Sequence, residues 1–403
     1  MLGSKVHEEI ARWMLFGIAA FLPFATMVPI FIALLLLNWL LEGGFREKFA
    51  QLIKRKWLIA LMGFYLLHVA GLLFTSNMKS GTFDLEVKLS LFVLPLILGS
   101  KAPKAQTRDQ VLALFLASCL LVPTLLLIRA GYLWFNTGEN AFFYQSYSVW
   151  MHPSYFASYL ALAMLVAFEL FRKGRYIIKG WQFAFMEAYL ITILILLSSK
   201  MGLITLVLIM VFGLVYLILS RKKYLVGALG LGLGIVGMVT VYFYVPSVSN
   251  RITQMFSTMK ASELDFTSTE SSSVRLLIWS EARTLIVDHP LIGVGTGDAK
   301  DALMQSYQRR GMTGALEKSL NAHSTYYQAG IALGIPGMLW LIVFLGALLI
   351  RGWRKSFWLL SGFALLLAIH FLVESMLETQ AGVMFFAFFA SLLYPTDQEL
   401  SPE

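Results

Sequence analysis

The sequence predicts an all-α polytopic membrane protein, with about twelve transmembrane helices and one large, partly helical loop on the outer face. Three observations carry this reading. Of the 403 residues, 58% are apolar and only 14% charged, with a mean hydropathy of +0.72, whereas soluble domains carry about 25% charge. Runs long enough to cross about 30 Å of hydrocarbon recur along the chain. Lys and Arg gather in alternate loops, as the positive-inside rule requires.

The expected spans lie near 11–24, 26–42, 57–75, 88–99, 109–128, 153–171, 181–198, 201–219, 224–246, 326–350, 357–374 and 380–394. The first two are divided only by Pro23 and Pro29, and the fourth is short and follows Asp84, Glu86 and Lys88. No small-residue cleavage site follows the first apolar run, so it reads as a retained span. Basic clusters occur at Arg46, Lys48, Lys54, Arg55 and Lys56; at Lys101, Lys104 and Arg108; at Arg172, Lys173, Arg175 and Lys179; at Arg221, Lys222 and Lys223; and at Arg351, Arg354 and Lys355. With twelve spans all five fall on one side, which is therefore cytoplasmic and holds both termini. The net charge of +9 is accordingly orientation signal and headgroup anchoring, not nucleic-acid affinity. The chain divides into nine helices over 1–246, a loop over 247–325, and three helices with a cytoplasmic tail over 326–403.

Within the loop, Ser262 to Val274, SELDFTSTESSSV, reads either as a lid or acceptor-binding segment or as a plain flexible linker. Val274, Leu277, Ile278, Ala282, Leu285 and Ile286 then recur at helical spacing, and that amphipathic helix stops before Pro290. Leu291 to Asp298, LIGVGTGD, breaks the chain with three glycines, and Asp298 is placed to cap a further helix through about Arg309. There is no internal repeat.

The chain has no phosphate-binding glycine loop with Lys-Ser/Thr and no HExxH, so any chemistry falls to the outer face. Its one cysteine, Cys119, excludes an intramolecular disulfide, and its six histidines are scattered without ligand spacing, so no metal site is expected. The stretch that stands out is Asn321 to Gly337, NAHSTYYQAGIALGIPG. A helix entering from outside presents unpaired N–H groups and the positive end of its dipole at this point, a place for an anion such as a diphosphate. His323 sits there, where the same field disfavours imidazolium, and it reads either as a proton acceptor or as an interfacial side chain satisfied by solvent. Gly330, Gly334 and Gly337 lie on nearly one helical stripe with Tyr327 and His323, suited to close packing, and Pro336 permits a bend.

Two cations are out of place on the outer side. Lys200 lies in the turn LLSSKMGL, and Arg275 opens the amphipathic helix. Each is either a diphosphate ligand or a headgroup anchor, Arg with a bidentate fork and Lys as a point charge. Arg251, Arg283, Arg309 and Arg310 are weaker candidates in the same loop. His68, His152, His370 and Glu374 are ionisable groups in or beside spans, each a lesser functional candidate.

His323, Ser324, nine residues to Gly334 and three more to Gly337 resemble the His-[Asn/Ser/Gln]-x9-Gly-x-x-Gly signature of the O-antigen ligases. Upstream, VRLLIWSEARTLIVDHPLIGVGTGD is similar to that family's Arg-x3-4-Trp segment leading to Pro-x-x-Gly-x-Gly, which sets Arg275 on the diphosphate-binding arginine. LLSSKMG resembles its Ser-Arg-Gly turn, with Lys200 in place of the usual Arg. The resemblance implies a metal-independent glycosyltransferase of the membrane-embedded, lipid-donor (GT-C-like) type in the bacterial inner membrane, with a periplasmic site. It implies transfer of O-antigen polysaccharide from undecaprenyl diphosphate to a lipid A-core hydroxyl, with inversion, no cofactor and His323 as base. A polymerase or a protein O-glycosyltransferase of the same superfamily shares the donor and differs in the acceptor. A secondary transporter suits twelve spans, but the polar residues collect at one face instead of the midplane.

Overall fold

The structure is a computed structural model that describes residues 3–24, 26–174, 176, 178–222, 224–246, 248–250, 252–253, 266–267 and 271–394. Among these residues every regular element is helical. Most of the segment expected as a lid, and Arg251, lie outside the described residues. A helix occupies each of the twelve stretches read as spans. By length and composition four of them can cross a membrane alone: Lys56–Phe74, Ala105–Thr137, Pro153–Arg172 and Thr325–Arg354. A fifth arises if Val28–Glu42 and Phe45–Lys54, bent by 119°, form one span. The bend falls on Gly43 and Gly44, both at positive φ, where a Cβ would be strained. The expected fourth span is the helix Ser90–Ser100, with Pro95 inside it. At 1.5 Å per residue that helix is too short to cross unaided.

The chain forms two compact units, 1–114 with 262–403 and 115–261. In the second, Pro153–Arg172 is the central helix, buried along most of its length because Ala157, Ser158, Ala161 and Ala163 let neighbours approach. Gly202 of Lys200–Arg221 packs against Ala157 in this way. Near its end the buried Glu169 is held by Arg172 at 2.8 Å and Lys173 at 3.4 Å.

In the first unit the innermost element is Gln380–Leu392, apolar all round, with Phe385, Phe386, Phe388 and Phe389 fully buried. Ser4–Phe21 and Val28–Glu42 pair through a Phe21–Phe31 stack at 5.4 Å and a His7–Asn38 contact of 2.8 Å. The segment from Pro290 to Asp298 is a strap between two helices. Val294 and Gly295 donate to the carbonyls of Ile331 and Ala332 at 2.8 and 3.2 Å, and Ile335 donates back to Pro290 at 2.8 Å. On its other edge Thr296 donates its hydroxyl to the His68 carbonyl at 2.7 Å.

Two expectations change here. The tenth span is not continuous: at Gly334 φ is 70° and ψ −169°, so the helix is broken there and not bent at Pro336. Its freed backbone groups are the ones the strap satisfies, as a break inside apolar surroundings demands. Asp298 occupies the N-cap position of Ala299–Arg310 without a side-chain cap bond. Its carboxylate instead accepts the Ser76 and Asn77 N–H groups, both at 2.7 Å, and ties the strap's far end to the Met78–Lys88 helix start.

A Cβ at Gly334 would lie 2.6 Å from the Pro290 carbonyl oxygen, at a φ few L residues adopt. Gly334→Ala should therefore lower stability by at least about 2 kcal/mol. Gly346→Ala, in open helical surroundings, should be neutral within about 0.5 kcal/mol. Thermal unfolding in detergent checks the pair, and equal melting temperatures would refute the seam.

Candidate functional site

His323 sits in the left-handed region at φ 45°, a conformation that costs an L residue roughly 1–2 kcal/mol and persists only when its surroundings dictate it. They do. Its N–H donates to the Asn321 side chain at 3.0 Å. The preceding Ala322 donates to Gln328 Oε1 at 3.2 Å and accepts the indole N–H of Trp279 at 3.1 Å. The following Ser324 donates its N–H to Ser375 Oγ at 3.1 Å. The His323 ring is half-buried.

Ser324 explains the second position of the His-Ser pattern. It is the N-cap of Thr325–Arg354: its backbone is extended, its hydroxyl accepts the Tyr327 N–H at 3.4 Å, and the same hydroxyl donates to the Phe371 carbonyl at 3.1 Å. Short polar side chains are the ones able to cap. Thr325 continues the grip, donating N–H and hydroxyl to the Glu374 carbonyl at 3.1 and 2.7 Å. The helix start is thus wrapped by residues 371–376, and His323 is presented immediately before its first N–H groups.

Arg275 reaches the same corner. Its Nη2 donates to Glu374 Oε1 at 2.9 Å, both side chains largely buried. A guanidinium carries five N–H donors, and Nη2 commits one of them to Glu374. Arg275 and Trp279 lie four residues apart on one face of Ser271–Asp288, which accounts for the Arg-x3-Trp spacing: Trp279 holds the His323 turn from one side while Arg275 docks on Glu374. Gly334 and Gly337 lie further along the helix. Gly334 meets the strap, Gly330 faces Ile286 closely, and a Cβ on Gly337 would come nearest to Leu333 and Ala329.

Lys200 belongs to the other unit. It opens Lys200–Arg221 just after Ser198, which is at φ 44°, and the adjoining Ser199 hydroxyl contacts Ser154 Oγ at 3.1 Å. The structure therefore gathers Arg275, His323 and Ser324 at one place, while Lys200 is described within its own unit. Of the lesser candidates, Arg283 is exposed and Arg310 pairs with Glu281 at 3.2 Å. His152 caps Pro153–Arg172 through Nδ1, His370 is buried in its helix, and His68 lies 3.5 Å from Asp84. No group of His, Cys, Asp and Glu suited to a metal is present among the described residues.

Sequence reasoning ranked Glu374 low, and it is the partner that fixes Arg275. It also passed over Gln328, Glu378, Asp84 and Lys88, which continue from the turn into the interior. Burial raises the Asp84 carboxyl to about 6, with the Lys88 ammonium opposing and Glu378 adding to the rise.

An interior built of apolar helices, four of them long and apolar enough to cross a membrane, fits a multi-pass membrane protein. Residues 185–342 match the family model described as O-antigen ligase. Lys200, Arg275, His323, Ser324, Gly334 and Gly337 all fall within the matched residues, whereas Glu374 falls outside them. A search of curated proteins finds no match to the chain.

Removing the cap should separate helix support from chemistry. Ser324→Ala should destabilise by about 1–2 kcal/mol, and Ser324→Asn, which keeps an acceptor, by less. Thermal unfolding of the two variants checks this, with equal losses counting against the cap.

Proposed function

We propose that this protein is an O-antigen ligase: it transfers polysaccharide from undecaprenyl diphosphate to a sugar hydroxyl of lipid A-core, at the periplasmic face of the inner membrane. The observation that carries the proposal is the left-handed His323 held directly before a capped helix N-terminus, with Arg275 anchored at the same corner. In this reading His323 takes the proton of the attacking acceptor hydroxyl. The hydroxyl oxygen bonds to the anomeric carbon as the bond to the diphosphate breaks, and attack from the face opposite the leaving group inverts that centre.

The leaving diphosphate gains negative charge in the transition state. Arg275, Lys200 and the helix-start N–H field are the groups that stabilise it, the role a metal ion plays elsewhere. Lys200 offers a point charge where a fork is usual, so its share is electrostatic and without bidentate geometry. The twelve-span reading with cytoplasmic termini supports placing this end of the helix outside, next to the lipid headgroups of donor and acceptor.

The test uses purified protein with undecaprenyl-diphosphate-linked polymer and lipid A-core. His323→Ala should reduce turnover roughly 10²–10⁴-fold, the span general-base catalysis supplies; near-normal turnover would sink the assignment. Arg275→Ala and Lys200→Ala should raise the donor Kd, and activity should survive a chelator. A restored rate on adding a divalent ion after chelation would reject the metal-free reading. Deleting the gene should remove the O-antigen ladder while lipid-linked polymer accumulates, whereas loss of a solute's uptake would point to a transporter.

A further inference from the structure

The grip on the His323 turn does not end at its immediate partners. Gln328 lies one turn into Thr325–Arg354 and is almost fully buried. Its two amide ends face different groups. Oε1 accepts the Ala322 N–H at 3.2 Å, and Nε2 donates to Glu378 Oε2 at 3.4 Å. Those partners fix the sense of the amide, since an N–H needs an acceptor and a carboxylate needs a donor. Glu378 is held in turn by Lys88, whose ammonium lies 2.8 Å from Oε1 and also donates to Asp84. Lys88 is itself buried. The result is an unbroken run from a buried cation on the Met78–Lys88 helix, through Glu378 and Gln328, to the backbone beside His323.

A buried lysine is costly unless paired, and here both its carboxylates are used, one of them aimed at Gln328. The run ends on the Ala322 N–H, and the next residue, His323, is the one in a strained conformation. A peptide that must stay at φ 45° shifts when a neighbouring N–H loses its acceptor, because the backbone then reorients to satisfy that group. No member of this run is among the groups that the reading above gives to donor or acceptor, so its effect reaches chemistry only through where the His323 ring points.

We propose that Gln328 is a positioning residue for His323, with Glu378 and Lys88 setting the orientation of its amide. The inference depends on His323 acting as the base in the reading above. Losing the strut lets the turn relax by a fraction of an ångström to about 1 Å. Misplacement of that size costs on the order of 10²-fold in rate, while the donor's diphosphate contacts, made by other groups, are unchanged.

The experiment compares full-length Gln328→Leu, Gln328→Glu, Glu378→Gln and the double swap Gln328→Glu/Glu378→Gln, with His323→Ala in the same ligation assay. Gln328→Leu should lower kcat roughly 10–100-fold with donor KM within about twofold. Gln328→Glu sets two carboxylates against each other and should lower kcat at least as far. The swap restores one acceptor towards Ala322, one donor between the pair and one acceptor towards Lys88, at unchanged net charge, and should recover kcat to within a few-fold of the parent. Folding is followed by gel filtration and melting temperature, and if Gln328→Leu fails to fold, the comparison of Gln328→Glu with the swap decides alone. A folded Gln328→Leu with normal kcat, or a swap no better than Gln328→Glu, overturns the proposal. If His323→Ala turns over normally, the base assignment itself has failed; if His323→Ala is inactive and Gln328→Leu is normal, only the positioning role is lost.

Discussion

Everything at the site depends on one requirement: a chain that turns sharply against apolar helices must still give each of its backbone polar groups a partner. Between Ala322 and Thr325 the partners are Gln328, Trp279, Asn321, Ser375 and Glu374. They come from the outgoing helix, the Ser271–Asp288 helix, the turn itself and the 371–376 corner. Each such hydrogen bond contributes about 1 kcal/mol net, so together they outweigh the roughly 1–2 kcal/mol that the left-handed His323 costs. The turn is stable because it is surrounded, and it is surrounded because three separate parts of the chain converge on it.

The broken helix obeys the same requirement a few turns further on. A span interrupted at Gly334 exposes carbonyls at Ile331 and Ala332 and an N–H at Ile335, and the Pro290 to Gly295 strap supplies their partners. Gly293 and Gly334 allow the approach: a Cβ on Gly293 would come within 2.5 Å of the Ala332 carbonyl carbon. The two glycine motifs, distant in sequence, are therefore one joint. Because the strap follows the helix bearing Arg275 and Trp279, the joint also fixes how that helix meets His323.

The periodicity of apolar runs located the helices, since hydrophobic length and charge placement are local properties. Ser324 was legible only as the second position of the His-Ser motif, and its role as the cap of Thr325–Arg354 is a structural finding. What escaped was set by tertiary contacts. Gly330, Gly334 and Gly337 share a spacing and read as one packing stripe, yet Gly334 alone breaks the helix, because only the strap's arrival makes a positive φ favourable there. Asp298 has the composition of a cap, but two N–H groups from residues over two hundred positions away compete for its carboxylate. Glu374 looked like one more ionisable group beside a span; its pairing with Arg275 crosses ninety-nine residues, and no local pattern encodes it.

The Arg275–Glu374 pair bears on how a diphosphate would be handled under the ligase reading. A lone arginine beside a lipid surface samples many rotamers and loses up to about 2 kcal/mol of side-chain entropy when a ligand fixes it. Glu374 removes that freedom beforehand, because it is buried and tied through its own backbone to Thr325. It also offsets part of the guanidinium's charge, which weakens attraction for the donor as it first binds. The leaving diphosphate carries more charge than the bound donor, and Glu374 scales down the attraction for both in the same proportion. Under the ligase reading, pre-ordering therefore helps the bound donor and the transition state alike and acts as uniform binding, while the partial neutralisation by Glu374 trims both. Any gain in kcat has to come from the charge that develops on the leaving diphosphate.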